Sequence, residues 1–246
     1  MIRHVEETGS TNADMLALAG EGAPEGSWLR AARQTGGRGR MGRTWESPDG
    51  NLYCSTLVRV RAADPAAHTL ALVAANAVHA LVAPLCPGSS SGAREQGGQG
   101  HGQACIKWPN DVLVDGAKIA GILLERTGDA VVVGIGINVV GHPAGLDRPV
   151  TSLAALGVQA EAGALVERLA ALFAHWLAIW RAHGLDPVRT HWLLNAHPKG
   201  TPVRVHQPDG GVIEGSFETL DREGMLILRL ANGDTRAIHA GDVHLL

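Results

Sequence analysis

Residues 34–45 read Gln-Thr-Gly-Gly-Arg-Gly-Arg-Met-Gly-Arg-Thr-Trp, and Arg38, Arg40 and Arg43 interleave there with Gly37, Gly39 and Gly42. Glycine lets the backbone approach a ligand closely, and arginine supplies a planar fork of donors that matches phosphate or carboxylate. Together the two types suit a ligand carrying two anionic groups. The same glycines satisfy G-x-G-x-x-G, but a dinucleotide site needs a helix directly afterwards to hold the pyrophosphate. Glu46-Ser47-Pro48-Asp49-Gly50 follows instead. That stretch starts no helix, so the dinucleotide reading fails on context. A solvated basic loop is the plain alternative for this segment alone.

Three other segments carry groups suited to handling charge. Lys107-Trp108-Pro109-Asn110-Asp111 sets a lysine and an aspartate around a proline; by itself it reads as a surface turn. Lys118 heads the apolar run Ile119-Ala120-Gly121-Ile122-Leu123-Leu124, where a snorkelling edge lysine is the ordinary reading. In Gly134-Ile135-Gly136-Ile137-Asn138 the glycines read equally as packing sites within a strand. There is no G-x-S-x-G and no obvious cysteine–histidine arrangement, so no enzyme nucleophile is expected.

These segments need elements to position them. Ser10-Thr11-Asn12 precedes Met15, Leu16 and Leu18, and Ser10 or Thr11 is a candidate helix cap. Residues 28–33 read as a strand, 34–50 as an aperiodic loop, 51–60 as a strand and 68–85 as a buried helix. Residues 88–104 contain nothing apolar larger than alanine and read as a mobile insertion. Residues 106–114, 118–126 and 130–139 read as three strands of one sheet, with turns at Asn110-Asp111 and Gly128-Asp129. Leu165, Leu169, Phe173, Trp176 and Trp180 recur at helical spacing and predict an amphipathic helix with its tryptophans in the core. A short helix follows over 187–195. After Pro198 come short strands and turns, with the hairpin signal Asn232-Gly233. A unit this small is marginal alone, which predicts a small barrel (198–246) docked on a larger α/β domain (1–197).

Composition narrows the function classes. Of 246 residues, 45% are hydrophobic and 18% charged, with a net charge of −3. That balance does not describe a surface built for nucleic acid or an anionic membrane, so neither DNA nor membrane is an expected partner. The 32 glycines are about twice the usual share. Cys54, Cys86 and Cys105 are widely spaced without a C-x-x-C, which argues against a disulfide framework or structural zinc and for a reducing compartment. The opening MIRHVEETGS has no apolar signal run. The longest apolar stretch, residues 70–85, is interrupted by Asn76 and His79 and reads as too short to span a bilayer comfortably. A cytoplasmic location is expected.

Taken together and in order, the segments resemble the catalytic domain of biotin–protein ligases. That family shows Ser-Thr-Asn near the domain start, G-R-G-R-x-G-R ending in Trp, K-W-P-N-D, K-x-A-G-I-L and G-x-G-I-N. Ser10, Thr11 and Asn12, then residues 37–45, 107–111, 118–123 and 134–138 match these, and the resemblance spans nearly the whole chain. It implies an α+β fold, a mixed sheet flanked by helices as in class II synthetases, followed by an SH3-like β-barrel. It implies ATP and biotin as substrates, with Mg²⁺. Biotin is first activated as biotinoyl-AMP, and a lysine of a biotin carboxyl carrier protein then accepts it. By carry-over, Ser10, Thr11, Asn12, Gln34 and Thr35 line the biotin pocket, and the backbone at Gly37, Arg38, Gly39 and Arg40 closes over carboxylate and phosphate. Arg40 and Lys118 carry the chemistry. Arg43, Trp45, Asn110, Asp111 and Asn138 serve the nucleotide, with Asp111 the metal ligand. Met41 stands where many relatives carry arginine. The motif starts at residue 10, ahead of which the resemblance leaves no room for the DNA-binding winged helix of some relatives. Oligomeric state is open, a homodimer included. A lipoate–protein ligase sharing the fold, or a biotin-sensing regulator without catalysis, are the rivals.

Overall fold

The computed structural model describes residues 1–87, 102–146 and 148–246. A seven-stranded mixed sheet runs β1 (Ile2–Thr8), β2 (Trp28–Gln34), β3 (Leu52–Arg59), β7 (Ala130–Ile137), β6 (Ala117–Thr127), β5 (Asp111–Val114) and β4 (Ala104–Lys107) in spatial order. Only β1 and β2 pair in parallel. Helix α1 (Thr11–Gly20) covers one face, with Met15 and Ala19 packed on Leu29, Leu57 and Val132. Helices α2 (Leu70–Val82) and α3 (Ala162–His183) cover the other, and α4 (Leu185–Leu194) packs against both helices. Alternation fixes this division: along β7, Val131 and Val133 join the larger core while Ala130 and Val132 join the smaller one. Trp176 and Trp180 are buried in the larger core.

A five-stranded antiparallel sheet closes the described chain: β8 (Pro202–His206), β9 (Val212–Leu220), β10 (Leu226–Arg229), β11 (Thr235–Ile238) and β12 (Asp242–Leu245), ordered β11-β10-β9-β8-β12. This is the SH3-like unit. Its Val203, Val205, Phe217 and Leu226 belong to the same hydrophobic cluster as Trp192 and Val188 of α4.

Several local expectations are corrected. Residues 106–114 form two strands, β4 and β5, because Trp108-Pro109-Asn110 turns the chain; proline cannot donate to a ladder. Ser10 is the N-cap residue of α1, but its side chain makes no capping bond. The loop over 34–50 contains a folded-back segment, with Arg38 paired to Thr44 and one 3-10 turn at Arg40–Gly42. Of the proposed insertion, residues 88–101 lie outside the described residues. Ala104 begins β4, and the backbone amides of Gly102 and Gln103 donate to the Asp115 carboxylate at 2.7 and 2.9 Å. The helical run around α2 is Ala67–Leu85, which with Ala162–His183 is long and apolar enough to cross a membrane by length and composition. Within the fold Ala67–Leu85 is a core helix, most of it buried against the sheet and α3. The three cysteines are free thiols.

Candidate active site

The register draws one row across the α1 face: Ala31 opposite Tyr53, Tyr53 opposite Gly136, Gly136 opposite Gly121, and Gly121 opposite Asp111. Where a large side chain would fill this face, two glycines leave a trough. Trp45 lies over it. A Cβ on Gly136 would come within 2.7 Å of the Trp45 ring, and one on Gly121 within 2.9 Å. Beside them a Cβ on Gly134 would overlap the Asn12 amide. The trough is the floor of a cleft of about 700 Å³, partly open to solvent.

Lys118 reaches this face through an irregularity. Val112 pairs with Ala120, but Leu113 pairs with Lys118, leaving Ile119 as the extra residue of a β-bulge. Counted by strict alternation from Gly121, Lys118 would share the core face with Ala120. The extra residue reverses it and aims it into the cleft. There Lys118 is 8% exposed, contacts the Asp111 carboxylate directly, and sits 5.3 Å from the Trp45 ring centre in a cation–π arrangement. Burial pushes the Lys118 pKa down, and Asp111 opposes that. Asp111 itself is 3% exposed. Burial alone would raise its pKa, but Lys118 and Lys107 more than offset this and hold it at about 2.

The opposite wall is the arginine loop. Its base closes because Gly37 has no side chain: a Cβ there would overlap the Trp45 carbonyl, and the Trp45 amide donates to the Gly37 carbonyl at 3.0 Å. Arg40 donates to Asn110 Oδ1 (3.4 Å) and to the carbonyl of Gly241 (3.3 Å). Arg43 pairs with Asp242 at the start of β12. Lys107 completes the junction, its Nζ donating to the Val243 carbonyl at 2.7 Å and lying 3.1 Å from Asp111. Three consecutive residues of the barrel thus hold the anion-binding wall.

At the far end the polar residues of α1 are prearranged. The Ser55 hydroxyl lies 2.6 Å from Asn12 Oδ1 and 2.8 Å from the Thr11 hydroxyl. Gln34 Oε1 accepts from the Thr11 amide at 2.8 Å. Glu125 accepts from Asn12 Nδ2 (2.8 Å) and pairs with Arg38 (3.2 Å), which couples this end to the arginine loop.

Most of the residues singled out in the sequence meet here: Ser10, Thr11, Asn12, Gln34, Arg38, Gly39, Arg40, Arg43, Trp45, Asn110, Asp111 and Lys118 line the cleft. Three do not. Thr35 is exposed and extends the β1–β2 pairing through its amide, 2.9 Å from the Thr8 carbonyl. Gly37 closes the loop base. Asn138 is buried with its amide donating to the Thr151 carbonyl at 2.9 Å, and its backbone N–H donates to Ile119 at 2.8 Å, so it braces the bulge. Met41 is 59% exposed at the loop tip and does not line the cleft. Asp111 does not fit the role of magnesium ligand. Both its oxygens face lysines, which already neutralise the carboxylate. Sequence reasoning missed Ser55, Tyr53, Arg148 and Asp242; none sits in a recognisable motif.

The model of the biotin/lipoate A/B protein ligase family matches residues 9–140, and the biotin protein ligase C-terminal domain matches residues 200–246. The chain belongs to this family. The ligase is 38% identical to the biotin–[acetyl-CoA-carboxylase] ligase of Paracoccus denitrificans, over 90% of this chain and 91% of that one. It is 37% identical to the enzyme of the same description from Mycobacterium tuberculosis, over 97% and 86%. In structure it is similar to the Aquifex aeolicus biotin protein ligase in complex with biotin and ATP, with a TM-score of 0.81, 25% identity, and 100% and 98% of the two chains covered.

One stability prediction follows from the cleft floor. In the ligase, Gly134→Ala forces Asn12 away from Ser55 and Glu125. Overpacking of this kind costs about 1–3 kcal/mol, to be read as a lower urea midpoint at unchanged m-value. An unaltered midpoint would show that Asn12 yields freely.

Proposed function

We propose that this chain is an ATP-dependent biotin–protein ligase whose acceptor is a lysine on the biotin carboxyl carrier of an acetyl-CoA carboxylase. The observation that carries the reading is Lys118, buried and turned by the bulge into the cleft that Arg40 also lines. In the first step a biotin carboxylate oxygen bonds to the α-phosphorus of ATP and pyrophosphate leaves. In the second, the carrier's ε-amine attacks the mixed anhydride and AMP leaves. Neither step needs an enzyme nucleophile. The one cysteine in the cleft, Cys54, suits that: burial pushes its thiol well above the ordinary range.

Catalysis then rests on positioning and on fixed charge. Ser10, Thr11, Asn12 and Gln34 bind the polar head of biotin. Lys118 and Arg40 face the reacting carboxylate and α-phosphate, and Trp45 excludes water over the trough. Magnesium accompanies ATP as a phosphate counter-ion; no step is assigned to a protein-held ion. The free thiols, Cys54 and Cys86 buried and Cys105 partly so, accord with a cytoplasmic location. The test is biotin-dependent exchange of pyrophosphate into ATP, with lipoate as the parallel arm. Exchange with biotin and none with lipoate is expected. The reverse pattern would make this a lipoate ligase, and binding without exchange would make it a sensor.

Arg40 also bears on the fate of the intermediate. Biotinoyl-AMP acylates any exposed amine once released, so retention serves specificity. A charge-assisted contact to its phosphate contributes about 1.5–3 kcal/mol, or about 10- to 150-fold in residence. Arg40→Gly removes that contact and those to Asn110 and Gly241. The variant is expected to make adenylate and to label bystander proteins on a streptavidin blot, where wild type labels chiefly carrier. Equal selectivity of the two enzymes, with adenylate formed by both, would show that Arg40 does not hold the intermediate.

A further inference from the structure

Five cations line the cleft: Arg38, Arg40, Arg43, Lys118 and Arg148. Four are engaged, Arg38 by Glu125, Arg40 by Asn110 and the Gly241 carbonyl, Arg43 by Asp242, and Lys118 by Asp111. Arg148, half-buried, makes no hydrogen bond or ion pair with the described residues. Its charge bears on two neighbours, Lys118 and His244, and disfavours the protonated form of each.

The fold nevertheless fixes it beside Lys118. The Lys118 amide donates to the Pro149 carbonyl, and the Thr151 amide donates to the Lys118 carbonyl, both at 2.9 Å. Val150 pairs with Lys118 as an isolated parallel bridge. Arg148 is therefore carried at the head of a short segment zipped to the backbone of the bulge. A guanidinium held near another cation, with no anion of its own, is an unfavourable arrangement until an anion arrives from outside.

The proposed reaction brings one. With Lys118 and Arg40 facing the α-phosphate, the β- and γ-phosphates remain to be received. We propose that Arg148 binds these phosphates and stabilises the departing pyrophosphate in adenylate formation; the inference rests on the ligase reading above. As the carboxylate oxygen bonds to the α-phosphorus, the bond from that phosphorus to the bridging oxygen breaks. Its electron pair leaves with pyrophosphate, and charge grows on the group that Arg148 faces. No proton moves. In the second half-reaction pyrophosphate is absent and Arg148 has nothing to hold.

The two half-reactions separate the outcomes. In the full chain, Arg148→Met keeps the apolar stem and removes the charge. Biotin-dependent pyrophosphate exchange is expected to fall about 10- to 100-fold in kcat/KM for ATP, with weaker dependence on pyrophosphate. Transfer of biotin from synthetic biotinoyl-AMP to the carrier is expected within about twofold of wild type, because the adenylate carries only the α-phosphate. Arg148→Lys is expected to restore part of the exchange. Unchanged exchange kinetics in Arg148→Met would overturn the proposal. So would an equal fall in exchange and in transfer from preformed adenylate, which would place Arg148 on the adenylate or the fold. No biotin-dependent exchange in wild type would instead overturn the ligase reading, and this inference with it.

Discussion

Lys118→Ala is expected to lower biotin-dependent pyrophosphate exchange by about a hundredfold or more, the usual effect of losing one contact made where charge develops. The ammonium is buried, touches Asp111 and stacks beside Trp45. Lys118→Arg keeps charge but not shape, and the narrow trough between Gly121 and Trp45 leaves a guanidinium little room; it is expected to recover only a fraction. Circular dichroism and a melting curve separate folding from chemistry, because Lys107 still pairs with Asp111 in the variant. Near-normal exchange in a folded Lys118→Ala protein would remove this residue from the mechanism.

Asp111→Ala is expected to destabilise the protein by about 3–5 kcal/mol, since it leaves Lys107 and Lys118 buried without their shared counter-charge. Two cations held together by one carboxylate fare worse without it than a single broken pair on the surface. A denaturant midpoint close to wild type would show that the lysines find water or move out. The same carboxylate sets an acid limit. Its pKa falls from an ordinary 3.8 to about 2 in the native state, so the unfolded chain binds the proton first. The stabilisation is complete above the ordinary value and is lost as pH falls from there towards about 2. Wild type should therefore lose stability between pH 4 and pH 2 by more than Asp111→Ala does.

How far the sequence discloses this site depends on how local each feature is. Ser10, Thr11 and Asn12, the arginine loop and Lys118 could be read because types that handle charge stand close together or head a clear strand. The β-bulge could not. Alternation from Gly121 sends Lys118 to the core face, and only the pairing with β5 reveals the extra residue. Residues 106–114 read as one strand because both halves have strand composition, although Pro109 already marked the break. Asn138 and Gly37 belong to motifs, yet their contacts are structural: motif membership says that a residue matters, not which group it touches. Arg148 and Asp242 had no local signal, since they meet the cleft by tertiary contact alone. The overall architecture was easier, because helical spacing in α3 and the change of texture after Pro198 follow from burial periodicity.

The junction of the barrel with the arginine loop has a consequence in time. Arg40 meets Gly241 across 201 residues of chain, and Lys107 meets Val243 across 136. Contacts this distant close large loops and are slow to form relative to helices and hairpins. Helix α1, the β6–β7 hairpin and the barrel's own turns can all be in place while the anion-binding wall is still unassembled. By loop length alone, the anion-binding wall is thus expected among the later contacts to close.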